Sequence, residues 1–205
     1  MKIAFVTKEF SNEKNIYTGI GNHLRKLVLS LNQRGHNIYV YETTYSNMSE
    51  ECLSKNINLI KIPLKFENIF LRLLEIAYFS HNYQPKIFVN IKQFSSLITR
   101  VLNYYRYGEF VRKVSILIKK NNIDIVVYIS DYGISFFAKH YNIPYVNLIV
   151  CHRRLLNEAN DDRSMSARFI ESIEKKSIKK CLHNYAPSIL TAGNYKIETG
   201  RNITV

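Results

Sequence analysis

Thr18-Gly19-Ile20-Gly21 is the stretch of this chain best suited to hold a phosphate or another anion. It opens a helix, and the first backbone N–H groups of a helix have no intrahelical partner and lie at the positive end of its dipole. A helix start with no ligand is the alternative. Glu42 lies roughly twenty residues past the glycines, where an acid holds the ribose of NAD. The dinucleotide pattern nevertheless fits only in part, because Thr7 to Thr18 separate strand and glycines and Leu24 fills the third glycine position. His152 and Asp131 follow apolar runs at the carboxyl ends of expected strands, where open α/β sheets bind ligands. A lone histidine serves as readily as a hydrogen-bonded structural group, and Ser130-Asp131 reads best as a helix cap. Lys8 and Glu9 come directly after the first strand and either face the same cleft or belong to a solvated loop.

The elements that position these residues follow from periodicity. Ile3–Val6 reads as a buried strand, and Ile20, Leu24, Leu27, Val28 and Leu31 form one apolar stripe of a helix. Arg34-Gly35-His36 stops that helix, with Gly35 at the left-handed position after its last turn, and Ile38–Tyr41 is the next strand. Further strands are expected at Ile57–Ile62, Ile123–Ile129, Tyr145–Val150, Asn184–Ile189 and Ile203–Val205. Helices are expected at about Tyr132–Tyr141 and Ala167–Leu182. Strand and helix alternate, which predicts a single α/β domain over residues 1–205 with a doubly wound, mostly parallel sheet.

Met1-Lys2-Ile3-Ala4-Phe5-Val6-Thr7, a long loop, Gly19-Ile20-Gly21, an amphipathic helix and Arg34-Gly35-His36 before a second strand resemble the N-terminal domain of family 4 GT-B glycosyltransferases. The usual loop often carries a Gly-Gly pair where this chain has Thr18-Gly19. His152 after the strand ending at Val150 and Glu171-x-x-Glu174 leading to Pro187-Ser188 extend the resemblance over most of the chain. It implies a Rossmann-like N-terminal, acceptor-side half of a retaining enzyme. Such an enzyme moves a sugar from a nucleotide-sugar donor to an acceptor glycan or lipid hydroxyl, with no metal and no cofactor beyond the donor itself.

In that scheme Thr18, Gly19, Ile20 and Gly21 lie at the diphosphate, and His152 orients or polarises the acceptor hydroxyl. Lys8, Glu9, Asp131 and Arg153 are further candidates for acceptor contact. The donor-binding C-terminal domain of the family is not in this sequence, so the 205 residues are expected to be a fragment, a truncated gene product or one half of a split enzyme, inactive or nearly so alone. A non-catalytic basic docking module is the main alternative, and an NAD-binding domain the lesser one.

The chain has a formal net charge of +13. Between Leu53 and Asn122 twelve Lys or Arg face three Glu. Phe66, Phe70, Phe79, Phe88, Phe94, Tyr104, Tyr105, Tyr107 and Phe110 are interleaved with them, so a basic aromatic helical region is expected at about 65–120. That mixture suits a helix on an anionic membrane surface; a solvated basic face over an ordinary core accounts for it equally. Tyr104-Tyr105-Arg106-Tyr107 could stack bases, yet no helix-turn-helix, zinc or RNP pattern accompanies it, so no nucleic-acid partner is expected. Cys52, Cys151 and Cys181 are widely spaced, which indicates neither a disulfide framework nor a zinc site. The apolar start is too short for a signal peptide, and Arg72 and Glu75 interrupt the most apolar later stretch. These features predict a cytoplasmic protein, able to sit at the inner face of a membrane.

Overall fold

Strand β1 (Lys2–Thr7) is buried from Ile3 to Thr7 and runs between two other parallel strands. A central strand of a covered sheet has no solvent face, which is why its residues are continuously apolar rather than alternating. The computed structural model describes residues 1–8, 10, 19–44, 46–64, 89–130, 134–141 and 145–205. After β1 come α1 (Gly19–Gln33), β2 (Asn37–Thr44), β3 (Ser49–Ser54), β4 (Ile57–Pro63) and the long helix α2 (Val89–Asn121). Then follow β5 (Ile125–Ser130), a 3-10 helix (Ile134–Tyr141), β6 (Tyr145–Ile149), α3 (Arg153–Ala159), α4 (Met165–Lys180), β7 (His183–Tyr185) and α5 (Ile189–Thr199).

The sheet order is β3-β4-β2-β1-β5-β6-β7, parallel except for the β3–β4 hairpin. Alternation along the strands divides the core into two layers. Ile3 and Phe5 of β1, Ile38 and Val40 of β2 and Leu59 of β4 pack on Leu24 and Val28 of α1. Their neighbours Ala4, Val6, Tyr41 and Ile60 pack on Phe110, Val111, Val114 and Ile118 of α2 and on Ile134 and Ala138. A third cluster, Ile149, Ile178, Ala186, Ala192 and Tyr195, closes the β6–β7 end against α4 and α5.

The expected α/β doubly wound sheet is present, with local differences. Gly35 has φ +83° after α1, the left-handed stop expected there. Strand β3, exposed from Glu50 to Ser54, carries no apolar alternation and exists because it pairs with β4 across the Lys55-Asn56 turn. The strand expected at Asn184–Ile189 is shorter and ends earlier, as β7. Pro187 interrupts the ladder and Ser188 caps α5 by accepting the Thr191 N–H at 3.2 Å. Ile203–Val205 contributes a single bridge, Thr204 to Tyr185, rather than a strand. The segment expected as a helix at Tyr132–Tyr141 is described as 3-10 from Ile134. Among the described residues no helix is long and apolar enough to cross a membrane.

Candidate functional site

In a doubly wound sheet, ligands bind at the carboxyl ends of strands where the order reverses. Here the reversal lies between β1, whose chain continues to β2 on one side, and β5 on the other. Thr7 ends β1 in a buried position, and the Lys8 ammonium follows it, 4.3 Å from the centre of the Tyr107 ring of α2. Helix α1 begins at Gly19, and its first turn carries no acid to neutralise the positive end of its dipole. Gly21 is buried and Ile20 packs into the β1–α1 core, so both are fixed by the fold.

Phe10, beyond β1, is held from two sides. Its N–H donates to Glu42 Oε1 at 2.6 Å, and its carbonyl accepts from Arg25 Nε at 3.0 Å. Glu42, the acid of the NAD alternative, is buried at 3% exposure and accepts this Phe10 N–H. Thr18, Glu9 and Asp131 lie outside the described residues.

Two strand intervals from β1, about 10 Å, Cys151-His152-Arg153 leaves the carboxyl end of β6. His152 is buried and serves as the N-cap of α3: its Nδ1 accepts the Leu155 N–H at 3.3 Å, which puts the ring proton on Nε2. That nitrogen lies 3.3 Å from Glu198 Oε2. Burial lowers the imidazole pKa below its ordinary value, and Glu198 opposes that only in part, so the ring is neutral. Both nitrogens therefore face groups of this chain.

Behind this turn stands Glu174, with no exposure at all. The Tyr195 hydroxyl donates to Glu174 Oε2 at 2.9 Å and accepts the Arg153 N–H at 3.0 Å. Arg153 Nε is 3.6 Å from the same carboxylate oxygen, and the Tyr195 ring packs on the His152 ring with centres 4.3 Å apart. Burial, reinforced by the Glu174 charge, drives the Tyr195 pKa far up, so the phenol stays a donor. Lys175 Nζ bridges Glu171 at 2.6 Å and Glu198 at 3.1 Å. Burial favours losing its proton, but the two carboxylates outweigh that and raise its pKa.

Sequence reasoning named His152 and Arg153 but gave no role to Tyr195, Lys175 or Glu198, and mentioned Glu174 only as part of a motif. One signal was available. Glu174 sits in the apolar stripe Ile170, Glu174, Ile178, and a carboxylate at helical spacing among buried isoleucines must have a buried partner.

The basic aromatic region is only partly described. Phe66, Phe70, Phe79, Phe88 and Phe94 are not among the described side chains. Of the others, Tyr104 packs on Phe137 with ring centres 4.6 Å apart and on Phe169 at 5.8 Å, Tyr107 lies against Lys8, and Phe110 is in the core. Only Tyr105 of this set is largely exposed, which leaves no row of open rings for stacking bases along 104–110.

No family model and no curated protein matches the chain. Among solved structures, sucrose-phosphate synthase from Thermosynechococcus elongatus superposes on the whole chain with a TM-score of 0.62 at 10% identity. The match covers 47% of that structure, so the chain spans about half its length. An E. coli structure described as trehalose-6-phosphate bound with UDP-2-fluoro glucose aligns over 97% of this chain and 42% of that one, at 8% identity and a TM-score of 0.46, too weak to carry an argument. At such identity the first match shows the fold: a Rossmann-like, mostly parallel sheet of the kind that forms half of a GT-B glycosyltransferase.

Proposed function

We propose that this chain is the acceptor-side domain of a retaining GT-B glycosyltransferase, which moves a sugar from a nucleotide-sugar donor to the hydroxyl of an acceptor. The observation that carries the reading is the β1–β5 switch point, where an acid-free helix start at Gly19–Gly21 and the Lys8 ammonium accompany the carboxyl end of β1. In the reaction, the bond from the anomeric carbon to the diphosphate oxygen breaks, a bond to the acceptor oxygen forms, and the acceptor's hydroxyl proton passes to the departing diphosphate. Negative charge collects on the departing diphosphate, where preorganised amides and an ammonium lower its energy without needing to reorient.

At the end of β6, His152 acts as a positioning residue in this proposal. Its ring holds the first turn of α3, while the Tyr195 hydroxyl holds the Arg153 backbone and the buried Glu174 carboxylate its guanidinium, so the turn that faces the acceptor in this proposal is fixed from behind. The remainder of a donor site belongs to a second domain, and the 205 residues alone are expected to be inactive. Contact with an anionic membrane rests on the basic residues between Lys55 and Lys120 and predicts co-sedimentation with phosphatidylglycerol vesicles over phosphatidylcholine ones.

The test is a titration of the isotope-labelled chain with UDP and with GDP, followed by backbone amide resonances. Saturable shifts at Thr7, Lys8 and Gly19–Gly21 support the assignment. Shifts confined elsewhere, or none at millimolar nucleotide, overturn it.

A further inference from the structure

We propose that the outer face of α5 is the contact through which two copies of this chain form a symmetric, antiparallel helix pair, with Gly193 at the crossing point. A surface helix is apolar toward the core and polar outside, and one that is apolar on both sides is covered on both sides. Helix α5 is of the second kind. Ala192 and Tyr195 are buried in the cluster that closes the β6–β7 end of the sheet. At about 100° per residue, Ile189, Gly193, Ile197 and Leu190 share one arc on the opposite side of the helix. The three side chains of that arc, Ile189, Ile197 and Leu190, are 80%, 84% and 68% exposed.

The chain's own packing gives no reason for the glycine in the middle of this arc. Glycine is the poorest helix former after proline, and no described atom lies within 4 Å of the place a Cβ at Gly193 would take. What the missing side chain permits is the close approach of another backbone.

Spacing selects the partner. Ile189 and Ile197 stand four residues to either side of Gly193. A twofold axis through Gly193 therefore sets glycine on glycine and each Ile189 against an Ile197, the self-complementarity that an isologous interface requires. Charge agrees with it. The chain carries +13, so two copies repel wherever basic faces meet. The charged residues of α5 are one lysine, Lys196, and one acid, Glu198, which cancel; neither lies on the arc, and Glu198 is tied to Lys175 and Arg154. Antiparallel alignment also sets the positive end of each helix beside the negative end of the other. The three side chains present on the order of 450 Å² per copy, the size of the largest patch on a typical monomer. A pair buries about 900 Å², toward the lower limit of specific interfaces, so the dimer is a concentration-dependent one.

The experiment is sedimentation equilibrium of the 205-residue chain from about 1 to 500 µM, where a reversible monomer–dimer equilibrium is expected. Ile197→Asp puts two charges into the contact and should weaken dimerisation at least a hundredfold, with the thermal midpoint of the monomer unchanged because the position is exposed. In a Cys52→Ser background, Gly193→Cys should give a covalent dimer under oxidised glutathione, since a residue on the axis faces its own copy, whereas Ser172→Cys, exposed on α4, should not. The assignment is overturned if the chain stays monomeric across that range, which leaves the face to a different polypeptide. It is equally overturned if Ile197→Asp dimerises as the parent does, or if Gly193→Cys cross-links no better than Ser172→Cys. A monomer that needs Ile197 to bind phosphatidylglycerol vesicles gives the face to lipid and overturns it too. None of these outcomes bears on nucleotide binding at residues 7–8 and 19–21, so either proposal can fail while the other stands.

Discussion

The carboxyl ends of β1 and β6 lie on the same edge of one sheet but are built by opposite means. At β1 the candidate groups are backbone amides of a helix start and one lysine, positioned by elements adjacent in sequence. At β6 they are side chains held by a buried network whose members, Glu174, Lys175, Tyr195 and Glu198, come from α4 and α5, some 20 to 45 residues downstream. A site made of backbone asks only that the local chain fold. One made of buried charges depends on every partner, because removing one leaves the rest desolvated and unpaired.

That contrast predicts a graded set of outcomes. Glu174→Ala leaves Arg153 and the Tyr195 hydroxyl without their carboxylate in a buried place, so urea unfolding should show a loss of about 3–5 kcal/mol. A loss under about 1 kcal/mol would mean that the network is not cooperative and the contrast is false. Tyr195→Phe keeps the ring packed on His152 but removes the hydroxyl from both Glu174 and the Arg153 N–H. About 1–2 kcal/mol of stability should go with it, read from the same unfolding curves.

At the β1 end the balance reverses. Lys8→Ala removes an ammonium–ring contact and should change stability by no more than about 1 kcal/mol. The same variant should weaken UDP or GDP binding by about tenfold, the loss of one charge-assisted contact, as followed by amide titration. Equal damage to stability and binding would place Lys8 in the scaffold instead.

The smallest effect is a pH dependence. Burial holds His152 neutral, so its folded-state pKa lies below the unfolded value of about 6.5. Between those two values the unfolded chain binds the extra proton. The contribution of His152 is therefore present above about pH 6.5 and is lost as pH falls through the lowered native pKa. His152→Asn keeps a good helix cap while removing the titration. The difference in urea midpoint between parent and variant should narrow from pH 7.5 to 5.5; a constant difference would show that His152 does not titrate there.

Much of this fold was legible because its central elements are locally specified. The continuous apolar β1, the stripe Ile20, Leu24, Leu27, Val28, Leu31 and the stop at Gly35 each carry their own signal, and the structure has all of them. What escaped had no inward-facing pattern. In α5, Ile189, Leu190 and Ile197 are largely exposed while Ala192 and Tyr195 are buried, so its apolar residues do not mark the core-facing side. In β3 pairing with β4 alone makes the strand.

The sequence by itself determined the sheet class and the helix that starts at Gly19, since apolar period, glycine placement and helix polarity are properties of neighbouring residues. Only the tertiary structure decided that Glu42 is occupied by Phe10, that His152 caps a helix beside Glu198, and that Glu174 and Tyr195 hold Arg153. Those are pairings across tens of residues, and the free energy that selects them arises only when folding removes both partners from water.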